Sequence, residues 1–84
     1  MELRWTNKAL SDLMRLYKFL APLNKRAAVR TIQVLTAALE KLMANLRIGE
    51  RLDLFDPREV RRILVGQYEM RYEIQQLTVY VLRL

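Results

Sequence analysis

The feature that most constrains this chain lies near its end, where three segments of strand composition follow one another almost without pause: Arg58 to Val65, Tyr68 to Ile74 and Leu77 to Leu84. Only Gly66-Gln67 and Gln75-Gln76 separate them. Parallel neighbours need a crossover of about a dozen residues or more, so two-residue connections make an antiparallel meander nearly obligatory. Gln75-Gln76 is an unusual pair for a primed turn, which leaves room for a longer loop there. Side chains two apart share a face of a strand. Tyr68, Met70, Tyr72 and Ile74 therefore form an apolar face, and Glu69, Arg71 and Glu73 point away from it. In the first segment Val60, Arg62 and Leu64 alternate with Arg61, Ile63 and Val65, so neither face is cleanly polar and one arginine is expected to be partly covered.

An apolar sheet face needs a cover, and the first half of the chain supplies two amphipathic helices for it. Glu2 to Trp5 is short and alternating and reads as a first strand, with Thr6 placed as an N-cap directly after it. Leu10, Leu13, Tyr17 and Leu20 recur at helical spacing, predicting a helix from about Asn7 to Leu20 that ends before Pro22. Asn24 is placed to cap a second helix, along which Ala28, Ile32, Leu35, Leu39, Leu42 and Leu46 keep a four-three spacing. That run is too short, and its flanks too unpatterned, for a coiled-coil seam, so core packing is the better reading. From Arg47 to Pro57 the pattern stops, and Gly49, Asp53, Asp56 and Pro57 read as a loop that Leu52, Leu54 and Phe55 could tack onto the core. The fold class is α+β, in the order β-α-α-β-β-β: one domain over residues 1–84, with a helical hairpin packed on a small, mainly antiparallel sheet.

The charge is large and uneven. Fifteen Lys and Arg stand against nine Asp and Glu, a net charge of +6, and between Asp12 and Glu40 come Arg15, Lys18, Lys25, Arg26 and Arg30 without one acid. Such a stretch can attract nucleic acid, acidic lipid or an acidic protein. A face kept soluble by its charge is the plain alternative. Lys25 and Arg26 occupy the first turn of the second helix, where the positive end of the helix dipole disfavours cations by about 0.3–1 kcal/mol each, a small cost that hints at a use outside the monomer. In the meander Arg58, Arg61, Arg62, Arg71 and Arg83 outnumber Glu59, Glu69 and Glu73. Apolar runs are short, and the opening Met1-Glu2-Leu3-Arg4-Trp5 has no signal-peptide pattern, so a cytoplasmic chain without membrane insertion is expected.

Chemistry is restricted by what is missing. With no cysteine and no histidine, disulfides, thiol catalysis, the commonest general base and the commonest metal ligand are gone. Two distant glycines, Gly49 and Gly66, cannot build a phosphate loop, and Asp53 and Asp56 are better read as turn residues than as ligands of a hard cation. Ser11, the only serine, has no base. Neither metal nor cofactor is expected. One enzymatic option survives, RNA cleavage through the 2'-hydroxyl, for which Arg61, Arg62, Arg71, Tyr68, Tyr72 and Tyr80 are suitable residue types. Tyr68 and Tyr72, however, share a face with Met70 and Ile74, which favours packing for both. The meander is better read as a binding surface than as a catalytic centre.

Together with this element order, three stretches resemble the RelE/ParE superfamily of bacterial toxins over nearly the whole chain. W-T-N-K-A-L-S-D-L, Trp5 to Leu13, resembles the strand, cap and first helical turns of ParE-type members. Y-E-M-R-Y-E-I, Tyr68 to Ile74, resembles their paired-tyrosine strand, and V-Y-V-L-R-L, Val79 to Leu84, resembles their last strand. RelE-type members cleave mRNA at the ribosome; ParE-type members inhibit DNA gyrase and are neutralised by a cognate antitoxin. RelE-like sequences carry a catalytic arginine immediately after the first tyrosine of the paired motif, where this chain has Glu69, and a carboxylate there repels phosphate. The resemblance thus implies a ParE-like toxin of a type II, plasmid-stabilising pair, with no catalytic residues, antitoxin and gyrase as partners, and no sequence-specific nucleic-acid binding by the toxin alone. A ribosome-dependent mRNA endonuclease using Arg61, Arg62 and Arg71 is the alternative. The residues expected to touch gyrase or antitoxin are Arg15, Lys18, Arg26, Arg30, Arg58, Arg61, Arg62, Arg71 and Arg83. ParE-like sequences also continue past the final strand into a basic tail linked to toxicity, so a member shortened at Leu84 is expected.

Overall fold

The computed structural model describes residues Met1 to Leu84. In chain order the elements are β1 (Glu2–Trp5), α1 (Asn7–Leu20), α2 (Lys25–Leu42), β2 (Glu50–Arg51), a 3-10 turn (Asp53–Phe55), β3 (Glu59–Val65), β4 (Tyr68–Gln75) and β5 (Thr78–Arg83). They form an α+β fold with a five-stranded sheet in the order β1-β5-β4-β3-β2. All neighbours are antiparallel except β1 and β5, which run parallel. No helix is long and apolar enough to cross a membrane.

Both helices start where their caps predict. The Thr6 side chain accepts from the Ala9 amide at 3.2 Å, and the Asn24 carboxamide accepts from the Ala27 amide at 3.1 Å. Thr6 also donates its hydroxyl to the Val81 carbonyl at 2.8 Å. One residue thus ends β1, starts α1 and fastens the first strand to the last.

Along α2 the expected stripe is the buried one as far as the helix runs: Ala28, Leu35, Leu39 and Leu42 are buried and Ile32 is half-buried, but the helix ends at Leu42, so the half-buried Leu46 lies beyond it. On the sheet side Met70, Tyr72, Ile74, Val79 and Val81 meet the stripe, with Ala9 filling the gap from α1. The burial of these apolar side chains is the main source of the fold's stability. Strand parity holds too, since Met70, Tyr72 and Ile74 are buried and Tyr68 packs half-buried against the same core.

Four further features differ from the sequence reading. In α1 the inward line is Ala9, Leu13 and Leu16, with Asp12 buried beside it, while Leu10 is exposed. The small Ala9 is what fits against the core, so the helix is rotated relative to its leucine stripe. The segment from Arg47 to Pro57 is not all loop, because Glu50 and Arg51 pair with Arg62 and Arg61 as a strand too short to show alternation. Its apolar residues differ in fate: Leu52 and Phe55 are half-buried, whereas Leu54 is exposed. The second hairpin turn is Gln76-Leu77 rather than Gln75-Gln76, since Gln75 pairs with Thr78. It remains a two-residue turn, with Gln76 in the left-handed region at φ 51°. Finally, Glu73 does lie on the charged side of β4 yet is buried, covered by Arg58 and Gln75.

Candidate interaction surface

The side of the sheet turned away from the helices carries Glu2 and Arg4 from β1, Glu69, Arg71 and Glu73 from β4, and Val60, Arg62 and Leu64 from β3. Its charges are bound to one another. Arg4 donates to Glu2 at 2.8 Å. Arg58 grips Glu73 through two bonds of 2.5 and 3.2 Å. Arg62 donates to Glu50 at 2.9 and 3.0 Å and to Glu69 at 2.9 Å, and Arg71 donates to the other Glu69 oxygen at 2.9 Å. Four cations face four acids. The Arg71 and Arg62 guanidiniums hold the Glu69 carboxyl below the usual carboxylate range. Arg58 does the same to Glu73, against the opposing effect of burial.

Arg61 does not join this set. Its strand partner is Tyr72, which is fully buried on the helix side, and its guanidinium donates to Glu59 at 3.0 Å and to the Gly49 carbonyl at 2.8 Å. With only 15% of its side chain exposed, it is the covered arginine of β3. The structure therefore brings Arg62 and Arg71 together, opposite each other and sharing Glu69, but leaves Arg61 on the far side of the sheet. Tyr72 has a structural task as well: its hydroxyl accepts from the Gly49 amide at 3.2 Å and donates to the Leu46 carbonyl at 2.7 Å. Burial raises its pKa.

At the end of β5 the register slips between Tyr72, opposite Val81, and Arg71, opposite Arg83. This bulge passes over Leu82 and lets Arg83 reach α1. Arg83 donates to Asp12 at 2.8 and 3.3 Å, and the Leu84 amide donates to the same carboxylate at 3.0 Å. Arg15 completes the group at 3.7 Å. Asp12 is held below the usual carboxylate range, first by the Arg83 hydrogen bonds.

The helical hairpin is electrostatically the opposite case. Lys8, Lys18, Lys25, Arg26, Arg30 and Lys41 take part in none of the chain's ion pairs, and all six are exposed. Of the nine cations singled out in the sequence, Lys18, Arg26 and Arg30 are free, Arg61 is turned inward, and Arg15, Arg58, Arg62, Arg71 and Arg83 are partnered. Between the helices runs an apolar groove of about 220 Å³ formed by Leu13, Met14, Tyr17 and Ile32, with Lys18 at its rim. Elsewhere on the hairpin Leu10, Phe19 and Leu23 are exposed. Sequence reasoning passed over this groove. The signal was present in the apolar residues of α1 that a single inward stripe cannot accommodate.

A strand, a helical hairpin and a meander in this order define a small α+β domain, and comparison with known proteins makes the class specific. Residues 3–84 match the family model described as ParE toxin of type II toxin-antitoxin system, parDE, and the chain belongs to this family. Among solved structures it is similar to one titled "Chromosomal ParDE TA system from P. aeruginosa", with 22% identity and a TM-score of 0.81 over 99% of this chain and 91% of that one. At that identity the likeness bears on the fold alone. Comparison with curated proteins finds no match.

Proposed function

We propose that this chain, a single toxin domain over residues 1–84, acts in the cytoplasm by binding DNA gyrase and is neutralised by a cognate antitoxin. The observation that carries the non-catalytic reading is the state of Arg62 and Arg71. A group that stabilises a phosphorane must offer its charge to the substrate. Here Glu69 already accepts from both, at 2.9 Å each. Inhibition by binding needs no such free charge. The groove between α1 and α2, apolar within and cationic at Lys18, suits an amphipathic acidic helix, the form in which an antitoxin segment would dock.

A supercoiling assay with purified gyrase tests the reading. Loss of supercoiling at micromolar toxin, restored by the antitoxin, is the expected result. Gyrase left untouched while the antitoxin still binds would refute the gyrase half. Codon-specific mRNA cleavage in a translating extract, abolished by Arg71→Ala, would replace it with a nuclease.

A further inference from the structure

The free cations are not scattered evenly over the hairpin. On α2 the core stripe is Ala28, Ile32, Leu35 and Leu39, and the same four-three-four spacing displaced by two residues gives Arg26, Arg30, Gln33 and Ala37. Two residues are about 200° of helix, so this second line is the ridge facing directly away from the core. All four of its residues are exposed. Beside it Lys25 and Val29 complete an exposed, mainly polar surface made of Lys25, Arg26, Val29, Arg30 and Gln33.

We propose that this ridge docks on the phosphate backbone of duplex DNA, without reading sequence. Three observations carry the assignment. The three cations have no acid of the chain within 4.0 Å, so their charge is available to a partner, unlike that of every arginine in the meander. The lining has one apolar member, Val29, whereas a protein interface is organised around buried apolar anchors. The neighbouring groove of Leu13, Met14, Tyr17 and Ile32 offers such anchors, and the two surfaces are thereby distinguished. The ridge is also convex, the outermost line of a helix, and the major groove of a duplex, about 12 Å wide, admits an α-helix between two rows of phosphates. Arg26 and Arg30 lie about 6 Å apart along the helix axis. Each strand carries one phosphate per 3.4 Å or so of duplex axis, so two arginines at that spacing each meet one. Gln33 extends the ridge with a neutral donor, and Ala37 keeps its far end low. This surface is independent of the gyrase reading: a chain that left gyrase untouched would still hold DNA here.

Fluorescence anisotropy with the full chain tests it, using two labelled duplexes of unrelated sequence over a series of salt concentrations. The expected result is equal affinity for both duplexes, with log K falling linearly against log salt. Arg26→Gln with Arg30→Gln should weaken binding and reduce that slope by about two, close to one per lost phosphate contact. A charge-matched control, Arg4→Gln with Arg51→Gln, removes two cations that Glu2 and Asp56 already neutralise and should leave slope and affinity unchanged. Equal losses from both double variants would reduce the effect to net charge and overturn the assignment, as would no loss from either. Retention of labelled polyglutamate under salt conditions that release the duplex would make the ridge a docking face for acidic protein, and would equally overturn it.

Discussion

The helical hairpin and the meander are built from the same basic residues, yet the chain uses them in opposite ways. Up to Leu46 there are eight cations and three acids; from Arg47 onward there are seven cations and six acids. In the second region every arginine lies within 4.0 Å of a carboxylate, and in the first only Arg4 and Arg15 do. The difference shows what a net charge of +6 conceals. An arginine whose own chain supplies its counter-charge is committed to the fold; one without it is available to a partner. Meander variants should therefore be read first as changes in stability, and hairpin variants as changes in binding.

The largest effect expected under this division is at Tyr72, the fully buried side chain that ties β4 to the linker leaving α2. Tyr72→Ala empties the centre of the core and leaves the Gly49 amide and the Leu46 carbonyl without their partner. Loss of an aromatic core side chain costs about 4 kcal/mol. A urea titration that found Tyr72→Ala within about 1 kcal/mol of wild type would mean that the meander is not the frame of the domain.

Asp12 sharpens the comparison from the other side, because it is the one acid of the hairpin committed to the meander. It accepts two bonds from Arg83 and one from Leu84 and is almost completely covered. Asp12→Ala should cost about 1.5–2 kcal/mol at neutral pH, the lower part of the range for hydrogen bonds to charged groups because Arg83 is half-exposed. Acid should act through the same contacts. Asp12, Glu59, Glu69 and Glu73 all have their pKa lowered by arginine partners. A carboxyl held below its unfolded value stabilises the fold fully above that unfolded value, near 4 for these groups, and ceases to as pH falls through the folded one. The urea midpoint should be flat with respect to these groups from about pH 8 to 5 and fall below about pH 4. Asp12→Ala should flatten part of that fall. An acid limb unchanged in the variant would show that Asp12 does not hold the end of β5.

Much of this frame was legible before the structure. The α2 stripe, the caps at Thr6 and Asn24 and the parity of β4 come from periodicities that each involve one element at a time. What could not be read depends on how two elements meet. Glu69 lies seven residues from Arg62 in sequence, and only the register of β3 against β4 brings its carboxylate to both Arg62 and Arg71. Asp12 and Arg83 are seventy-one residues apart, and a bulge in β5 is what joins them. Likewise α1 presents Ala9 rather than Leu10 to the core, because a small residue was needed where the helix crosses the sheet. Nine cations looked equivalent as sequence. Their partners, set by tertiary register, separate Lys18, Arg26 and Arg30 from the others.

The smallest expected effect tests that separation most directly. Arg26 and Arg30 are exposed, make no ion pair and line a surface rather than a core. Arg26 also sits in the first turn of α2, where the helix dipole disfavours a cation. Replacing both with glutamine removes a mild repulsion and breaks no contact, so stability should stay within about 0.5 kcal/mol of wild type, on the favourable side if it moves at all. The same urea titration used for Tyr72 and Asp12 measures it. A loss above about 1 kcal/mol would mean that the hairpin's cations are committed to the fold after all, and the division between the two regions would fail. An unchanged midpoint, combined with weakened DNA binding, would leave these arginines with no role inside the molecule and a measurable one outside it.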